Sequence, residues 1–578
     1  MAIAGGHSTS APAVPAATDP AWGPFARPAF LALPILAAIG ATLFAIRLTG
    51  LPNLLDNEYR VGACVLDVLQ HGNWLCPHDV LGNTDKPPML TWLAALASWP
   101  RGRVTPFTLY LPTAVATLVN AWLIAGAGGR RFGERAGLFG GLAYLLSEVG
   151  AQQMATARWD GVFALTVTVA ALLAFRAWTA GRGWTWFWLA AAASTLTKGP
   201  LGLLLAVLGL AAIVWDRRTD HPTRLAGSHA GGVVLFLLLT VGWFLLAYRQ
   251  VGPHLVTNMI GDEFVGNVVE HRIAYRFWKP PGDFLANFAP WSLLTLVGLY
   301  RVIAAPSSND EARRFERFLF CWFTGGLLLF CLSPHNQARL MDPMIPPAAI
   351  LAGREIDRLV RPLARRPLIA LTTVGAIAAL GVFAVQYHRL EGHRPAVRKT
   401  LALQGLARTV RTAVGDDFPL THVEDAPFAI QLALNTMRPP VSFDEAARLL
   451  RGDTATFVVV GSVKRLRAAL GADSPPPHEL ALALDAGKPY LHLVSNRPAL
   501  TARDPTATRV GPLVVTLTGA HLRAAWDNRL ALARGDGAGN ALIENVSDRR
   551  QDVTVRIDRA ASSAHVLGPG EAWRIDVP

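Results

Sequence analysis

Two things are scarce in this 578-residue chain: cysteine, with four residues, and charge, with 16 % Asp, Glu, Lys and Arg. Four cysteines in so long a chain exclude a disulfide framework. Scarce charge beside 52 % hydrophobic residues and a mean hydropathy of +0.31 indicates a polytopic membrane protein. No phosphate-cradling glycine loop is present, so nothing in the sequence points to a nucleotide pocket. No internal repeat is visible, and after Leu390 no apolar run is long enough to span a bilayer. The net charge of +13 is not read as a nucleic-acid signature, because its placement carries the information.

What is present is a series of apolar runs near the roughly 20 residues that cross a bilayer. We count about eleven, at 29–49, 107–127, 135–150, 161–179, 184–199, 201–215, 230–250, 288–305, 317–332, 340–353 and 367–387. The Ala/Pro-rich residues 1–28 read as a disordered tail without a strongly basic start, which predicts a retained first helix. Arginines gather in four clusters: Arg130, Arg131 and Arg135; Arg217, Arg218 and Arg224; Arg313, Arg314 and Arg317; and Arg354 to Arg366. With the N-terminus inside, span parity puts all four on the cytoplasmic side, as the positive-inside rule requires. The same parity predicts that Asp56, Asp160, Lys198 and the loops around Glu270 and Arg339 face outward. Residues 29–390 thus read as a transmembrane domain and 391–578 as a soluble α/β domain outside, periplasmic in a Gram-negative cell. Within it 456–461, 513–518 and 553–557 read as strands, 401–414 and 443–451 as helices, and the part from about Arg509 as a small β unit.

Polar islands interrupt the apolar runs. Residues 51–106 form the first outer loop, with Leu54-Leu-Asp-Asn-Glu-Tyr-Arg60, Gly72-Asn-Trp74 and Asp85-Lys-Pro-Pro88. Polar loops often hold acids and arginines without a catalytic role, but this density beside a membrane helix suits chemistry on a lipid phosphate. Cys64 and Cys76 share this loop and would pair only in an oxidising compartment. Ala157-Arg-Trp-Asp160 stands at the mouth of a span, where an acid and an arginine are costly unless paired or hydrated. Asp160 also suits an ordinary helix cap. Thr197-Lys-Gly-Pro200 leaves Lys198 at the outer boundary, either snorkelling to headgroups or contacting a lipid phosphate. Glu270-His-Arg272 lacks metal-ligand spacing and reads as a surface segment. Between His335 and Arg339, the guanidinium is favoured for phosphate because it binds oxygens bidentately and stays charged.

In their order these motifs resemble the GT-C superfamily of membrane glycosyltransferases, family 39 type, which includes the aminoarabinose transferases of lipid A and the protein O-mannosyltransferases. The family pattern is Asp-Glu-x-Arg-Tyr, then Gly-Asp-Trp, then an acid with Lys-Pro. Spacing sets Asn57 on the family's first acid, Glu58 on its second, Arg60 on its arginine and Asp85-Lys86-Pro87 on its acid-Lys-Pro. Asn57 departs from the usual Asp, Asp56 lies one residue earlier, and Val61 replaces the tyrosine. The resemblance covers about Phe30 to Leu390 and leaves out the C-terminal domain. It implies an inverting transfer from a polyprenyl-phosphate sugar to lipid A, another envelope glycan or a protein, at the outer face of the bacterial inner membrane. Glu58 or Asp56 would be the general base with Asp160 in support, and Arg158 is a further site candidate. Lys86, Arg60, Lys198 and Arg339 would meet the donor phosphate. Glu58, Asp85 and Asp160 could hold a divalent cation through oxygen ligands. A flippase of a lipid-linked glycan is the alternative; it would want its charges at the membrane midplane.

Overall fold

A computed structural model describes residues 32–50, 56–84, 86–216, 229–257, 277–333, 337–414 and most of 420–577. Each of the eleven apolar runs is helical over most of its length. Among the described residues, six helices are long and apolar enough to cross a membrane: Ala32–Thr49, Pro106–Phe132, Trp159–Ala180, Ala230–Val251, Asp310–Leu332 and Arg365–His393. Leu201–Asp216 and Trp291–Ala304 are shorter apolar helices. The helices of the remaining runs are also under 18 residues, and Glu134–Leu145 and Ile345–Val360 pack inside the bundle.

Local chemistry sets where these helices begin and how closely they approach. Thr105 and Thr108 form a capping box ahead of Pro106, whose ring suits the first helical position. Asn309 caps Asp310–Leu332 through the Ala312 amide, leaving Asp310 and Glu311 in the first turn, where the helix dipole favours acids. A Cβ on Gly353 would lie 2.4 Å from both the Ala136 carbonyl oxygen and the Gly140 nitrogen. Only a residue without a side chain admits that crossing, the small-residue packing usual between membrane helices. Around it the core holds Tyr144, Phe163, Phe175, Phe315, Phe318 and Trp322, all buried.

One end of the bundle is an arginine network. Arg354 is 3 % exposed and bonds Glu316, Glu355 at 2.8 Å and the Gly298 carbonyl at 3.0 Å. Arg135 pairs with Asp357 at 2.9 Å, Arg314 and Arg317 with Asp216 at 2.9 and 2.8 Å, and Arg131 with Glu311 at 3.1 Å. Members of three predicted clusters thus meet at one end, while the fourth lies outside the described residues. Asp160 starts a 22-residue helix whose other end reaches this network near Arg176, so the two ends stand about 30 Å apart.

The expected first outer loop is not a loop throughout. Asp56–His71 and Met89–Ser98 are helices, and Val61, Val65 and Val68 turn inward from the first. Cys64 and Cys76 form no disulfide; the Cys76 thiol lies 3.5 Å from the Thr84 hydroxyl.

The C-terminal region consists of two units, where one α/β domain with a small β extension was expected. The first carries a four-stranded sheet in the order β1-β2-β4-β3, with β1 Leu420–His422, β2 Phe457–Val460, β3 His478–Asp485 and β4 Lys488–Ser495. Helices Pro395–Val414, Ala429–Leu434, Phe443–Arg451 and Val463–Leu470 accompany it. The second is a β-sandwich built from β5 Thr506–Val510, β6 Leu513–Thr518, β7 Ala520–Trp526, β8 Arg529–Arg534, β9 Gly539–Asn545, β10 Gln551–Ile557, β11 Ser563–Leu567 and β12 Ala572–Val577. Its sheets run β11-β10-β8-β7 and β12-β9-β6-β5 around Val515, Leu532, Ile543 and Val555. The α/β unit rests on the segment between the first two long apolar helices: Tyr59 packs against its core, and Asn435 bonds both Val104 and Gln70.

Candidate active site

One eight-residue stretch, Gln153 to Asp160, draws three distant parts of the chain together at the end of the bundle opposite the arginine network. Glu58, 2 % exposed, accepts hydrogen bonds from the Thr156 hydroxyl and, at 3.2 Å, from the Ala157 amide. Both bonds fix the orientation of the carboxyl group. Thr156 is itself anchored, since its carbonyl accepts the Thr113 hydroxyl at 2.7 Å. Asp160, in the first turn of its helix, is ion-paired with Lys198 at the end of Trp184–Lys198. Gln153 donates to Asp342, a buried acid in the turn Ala338–Met344.

Two arginines complete the rim. Arg158 immediately precedes the Trp159–Ala180 helix, and Arg339 comes from the same turn as Asp342. Neither makes an ion pair or a side-chain hydrogen bond among the described residues, and Arg158 Nε is buried without a partner. Burial and then the Arg339 charge lower the Arg158 guanidinium from its ordinary range, while Glu58, Asp160 and Asp342 oppose that shift. Two cations repelling one another beside unfilled donors are suited to hold an anion such as phosphate.

Several expected site residues have other partners. Lys198 already holds Asp160, and Arg60, largely exposed, pairs with Asp79 at 3.6 Å. Asp79 in turn receives the Leu81 and Asn83 amides at 2.9 and 3.0 Å. The Gly72-Asn-Trp74 motif serves a turn: buried Asp67 accepts Asn73 at 2.9 Å and the His78 amide at 3.0 Å, and Trp92 donates to the Trp74 carbonyl at 2.6 Å. Gly72 has φ of +71°, a conformation that favours glycine. Lys86 is half-buried just ahead of Met89–Ser98. The side chains of Asp56 and Asn57, and residues Asp85, Glu270 and His335, lie outside the described residues. Among the described residues no three His, Cys, Asp or Glu converge in a group that could hold a metal.

Sequence reasoning missed Asp342, Gln153 and Thr156. Asp342 had a readable signal, an acid inside the apolar, proline-rich Met341-Asp-Pro-Met-Ile-Pro346. Gln153 and Thr156 had none, because only the fold gives them acids to hold.

A bundle of apolar helices with a charged rim and a folded domain seated over that rim defines a polytopic membrane protein with a site at one face. Residues 85–244 match the family described as dolichyl-phosphate-mannose-protein mannosyltransferase. An undecaprenyl phosphate-alpha-4-amino-4-deoxy-L-arabinose arabinosyl transferase of Pseudomonas fluorescens is 26 % identical over 320 residues, 52 % of this chain and 53 % of that protein. The transferase of that name from Pectobacterium atrosepticum is 23 % identical over 377 residues, 61 % of this chain and 66 % of its own length. The chain therefore spans about half to two thirds of the length of these curated relatives. In fold it is similar to ArnT from Cupriavidus metallidurans bound to undecaprenyl phosphate, with a TM-score of 0.62 at 18 % identity, covering 81 % of this chain and 97 % of that one. Over part of its length the chain is thus similar in sequence to these transferases, and it shares the fold of ArnT.

Proposed function

We propose that this protein is an inverting glycosyltransferase that moves a sugar from a polyprenyl-phosphate donor to an envelope acceptor at the outer face of the bacterial inner membrane. The observation that carries it is the pairing of Arg158 with Arg339, two guanidiniums without ion-pair partners among the described residues, on one rim with Glu58, Asp160 and Asp342. The relatives named for undecaprenyl-phosphate sugars supply the donor class. Because the charges gather at the rim, a transporter with a midplane site is less well supported.

In this reading the acceptor hydroxyl attacks the anomeric carbon from the face opposite the phosphate, and the carbon–oxygen bond to phosphate breaks with its electron pair. Arg158 and Arg339, with Lys86, offset the charge growing on the departing lipid phosphate. Glu58, or Asp56 at the start of the same helix, takes the hydroxyl proton. Lys198 is ion-paired with Asp160 and holds it in place, so its expected contact with phosphate becomes a supporting role. A divalent cation remains an expectation outside these steps: of its expected ligands, Glu58 is hydrogen-bonded and Asp160 ion-paired. The acceptor is lipid A, another envelope glycan or a protein.

Mass measurement of lipid A, envelope glycan and surface proteins, in cells with and without the protein, tests the reading. A sugar-sized mass difference confined to one fraction supports it and names the acceptor. Identical masses in all three, with undecaprenyl-phosphate sugar present, would overturn it.

A further inference from the structure

A second cationic site lies at the far end of the bundle from the rim, in a pocket of about 210 Å³ between three helices. Arg130 and Arg131 stand in the last turn of Pro106–Phe132, Arg176 near the end of Trp159–Ala180, and Glu311 in the first turn of Asp310–Leu332. Among the described lining residues, three guanidiniums thus face one carboxylate, an excess of two positive charges. The pocket is smaller than the roughly 300 Å³ at which most small-molecule sites begin. It admits a headgroup fragment and not a nucleotide.

Packing holds these charges in place. The Arg131 guanidinium lies over the Phe315 and Phe175 rings, 4.6 and 5.0 Å from their centroids, and the two rings meet edge-on at 5.0 Å. Glu311, 3.1 Å from Arg131, has a side chain 68 % exposed, so water screens its charge and it offsets little of the excess. Arg176 makes no ion pair or side-chain hydrogen bond among the described residues, and its charge repels that of Arg130. Like charges kept together by the helices that carry them favour an anion between them.

Depth narrows the ligand. Arg176 follows Asp160 by sixteen residues on one helix, which sets pocket and rim about 24 Å apart along that axis. That is most of a hydrocarbon core of roughly 30 Å. Beyond this helix, Gly181-Arg-Gly183 turns the chain into Trp184–Lys198, and Trp186 in its first turn is 64 % exposed. Exposed tryptophan at the end of a span marks the boundary between lipid and water. The pocket therefore opens at headgroup depth, on the side of the membrane opposite the rim. Lipid phosphate is the anion abundant there, and basic pockets between spans suit it.

We infer that this pocket binds the phosphate of an anionic phospholipid in the leaflet opposite the rim, with Arg176 and Arg130 supplying charge and Arg131 a fixed back wall. The site is separate from that of the donor phosphate and does not depend on the reaction at the rim. Its three helices come from distant parts of the chain, so a bound phosphate pins their ends together and stabilises the bundle.

The test uses the full chain in a nonionic detergent, with bound molecules counted by native mass spectrometry. Probes are dioctanoyl phosphatidylglycerol, dioctanoyl phosphatidylcholine and inorganic phosphate. Phosphatidylglycerol is expected to bind about tenfold or more tightly than phosphatidylcholine and to raise the unfolding temperature. Arg176→Gln should weaken it by about tenfold or more and leave undecaprenyl phosphate binding unchanged. Glu311→Gln, which removes the competing acid at an exposed position, should tighten it. Arg361→Gln, in the arginine network at the same end but outside the pocket, controls for a diffuse cationic surface. Equal binding of phosphatidylcholine, an affinity unmoved by Arg176→Gln, or an equal loss in Arg361→Gln would each overturn the site. Inorganic phosphate bound as tightly as the lipid would overturn the lipid as its source. Should Arg176→Gln fail to fold, Glu311→Gln decides alone, and unchanged or weaker binding there counts against the pocket.

Discussion

Asn435 accepts the backbone amide of Val104 through its side-chain oxygen at 2.8 Å, and the two lie 331 residues apart in the chain. The bond joins the α/β unit to the segment entering the Pro106–Phe132 helix. Asn435→Ala removes the acceptor and places alanine at φ of 57°, where an L side chain other than Asn or Asp is strained. The expected cost is about 1–3 kcal/mol at the seam. Hydrogen exchange at Val104 should accelerate by roughly tenfold or more, and unaltered protection there would show that other contacts hold the seam.

Glu58→Gln should lower turnover by about a hundredfold or more while binding of undecaprenyl phosphate survives. Asp56→Asn distinguishes the neighbouring acid, and whichever variant keeps full activity is not the base. Thr156→Val, which removes one hydrogen bond to Glu58, should give a smaller fall without changing donor affinity.

For the donor phosphate, Arg158→Gln and Arg339→Gln are each expected to cost about 1.5–3 kcal/mol of binding, roughly ten- to a hundredfold. Lys86→Ala is expected to weaken it in the same direction. Direct titration with undecaprenyl phosphate reads this. Parent-like affinity in both arginine variants would move the phosphate elsewhere.

His422 provides a pH test in the α/β unit. Burial and then the Arg438 charge depress its pKa from 6.5 to about 4, and both ring nitrogens are buried without partners. The folded form therefore keeps a neutral ring that the unfolded chain protonates. Its contribution is full above about pH 6.5 and is lost as the pH falls toward 4, by about 3 kcal/mol at roughly 1.4 kcal/mol per unit. Exchange protection of Val458 and Val459 in β2 should fall over that window. His422→Leu should flatten the dependence.

Orientation is tested by thiol labelling in intact cells. Cysteines placed at Arg130 and Arg361 should be protected from an impermeant reagent, and cysteines in the exposed β-sandwich surface should react. The reverse pattern would invert the topology.

Much of the membrane domain was readable because burying apolar runs and leaving charges at their mouths are separately costly, so Asp160, Lys198 and Arg339 stood out. The helix Asp56–His71 was less legible, because its dense polar motif masks Val61, Val65 and Val68, which face inward at helical spacing. Partner choice was less accessible. Nothing local to Arg60 names Asp79, and nothing local to Asp342 names Gln153. In the C-terminal region, alternation revealed β6 and β10, but the sandwich depends on pairings such as β8 with β10 that no short pattern encodes.

The Gln153–Asp160 stretch has a consequence for how the protein is made. Thr156 reaches back 98 positions to Glu58, and Gln153 waits 189 positions for Asp342. Early helices can enter the membrane before Arg339 and Asp342 of the rim have been synthesised. Until Ala338–Met344 arrives, a ribosome-bound intermediate carries Gln153 and Arg158 without their later neighbours, so the rim is complete only once residue 344 of 578 has been made.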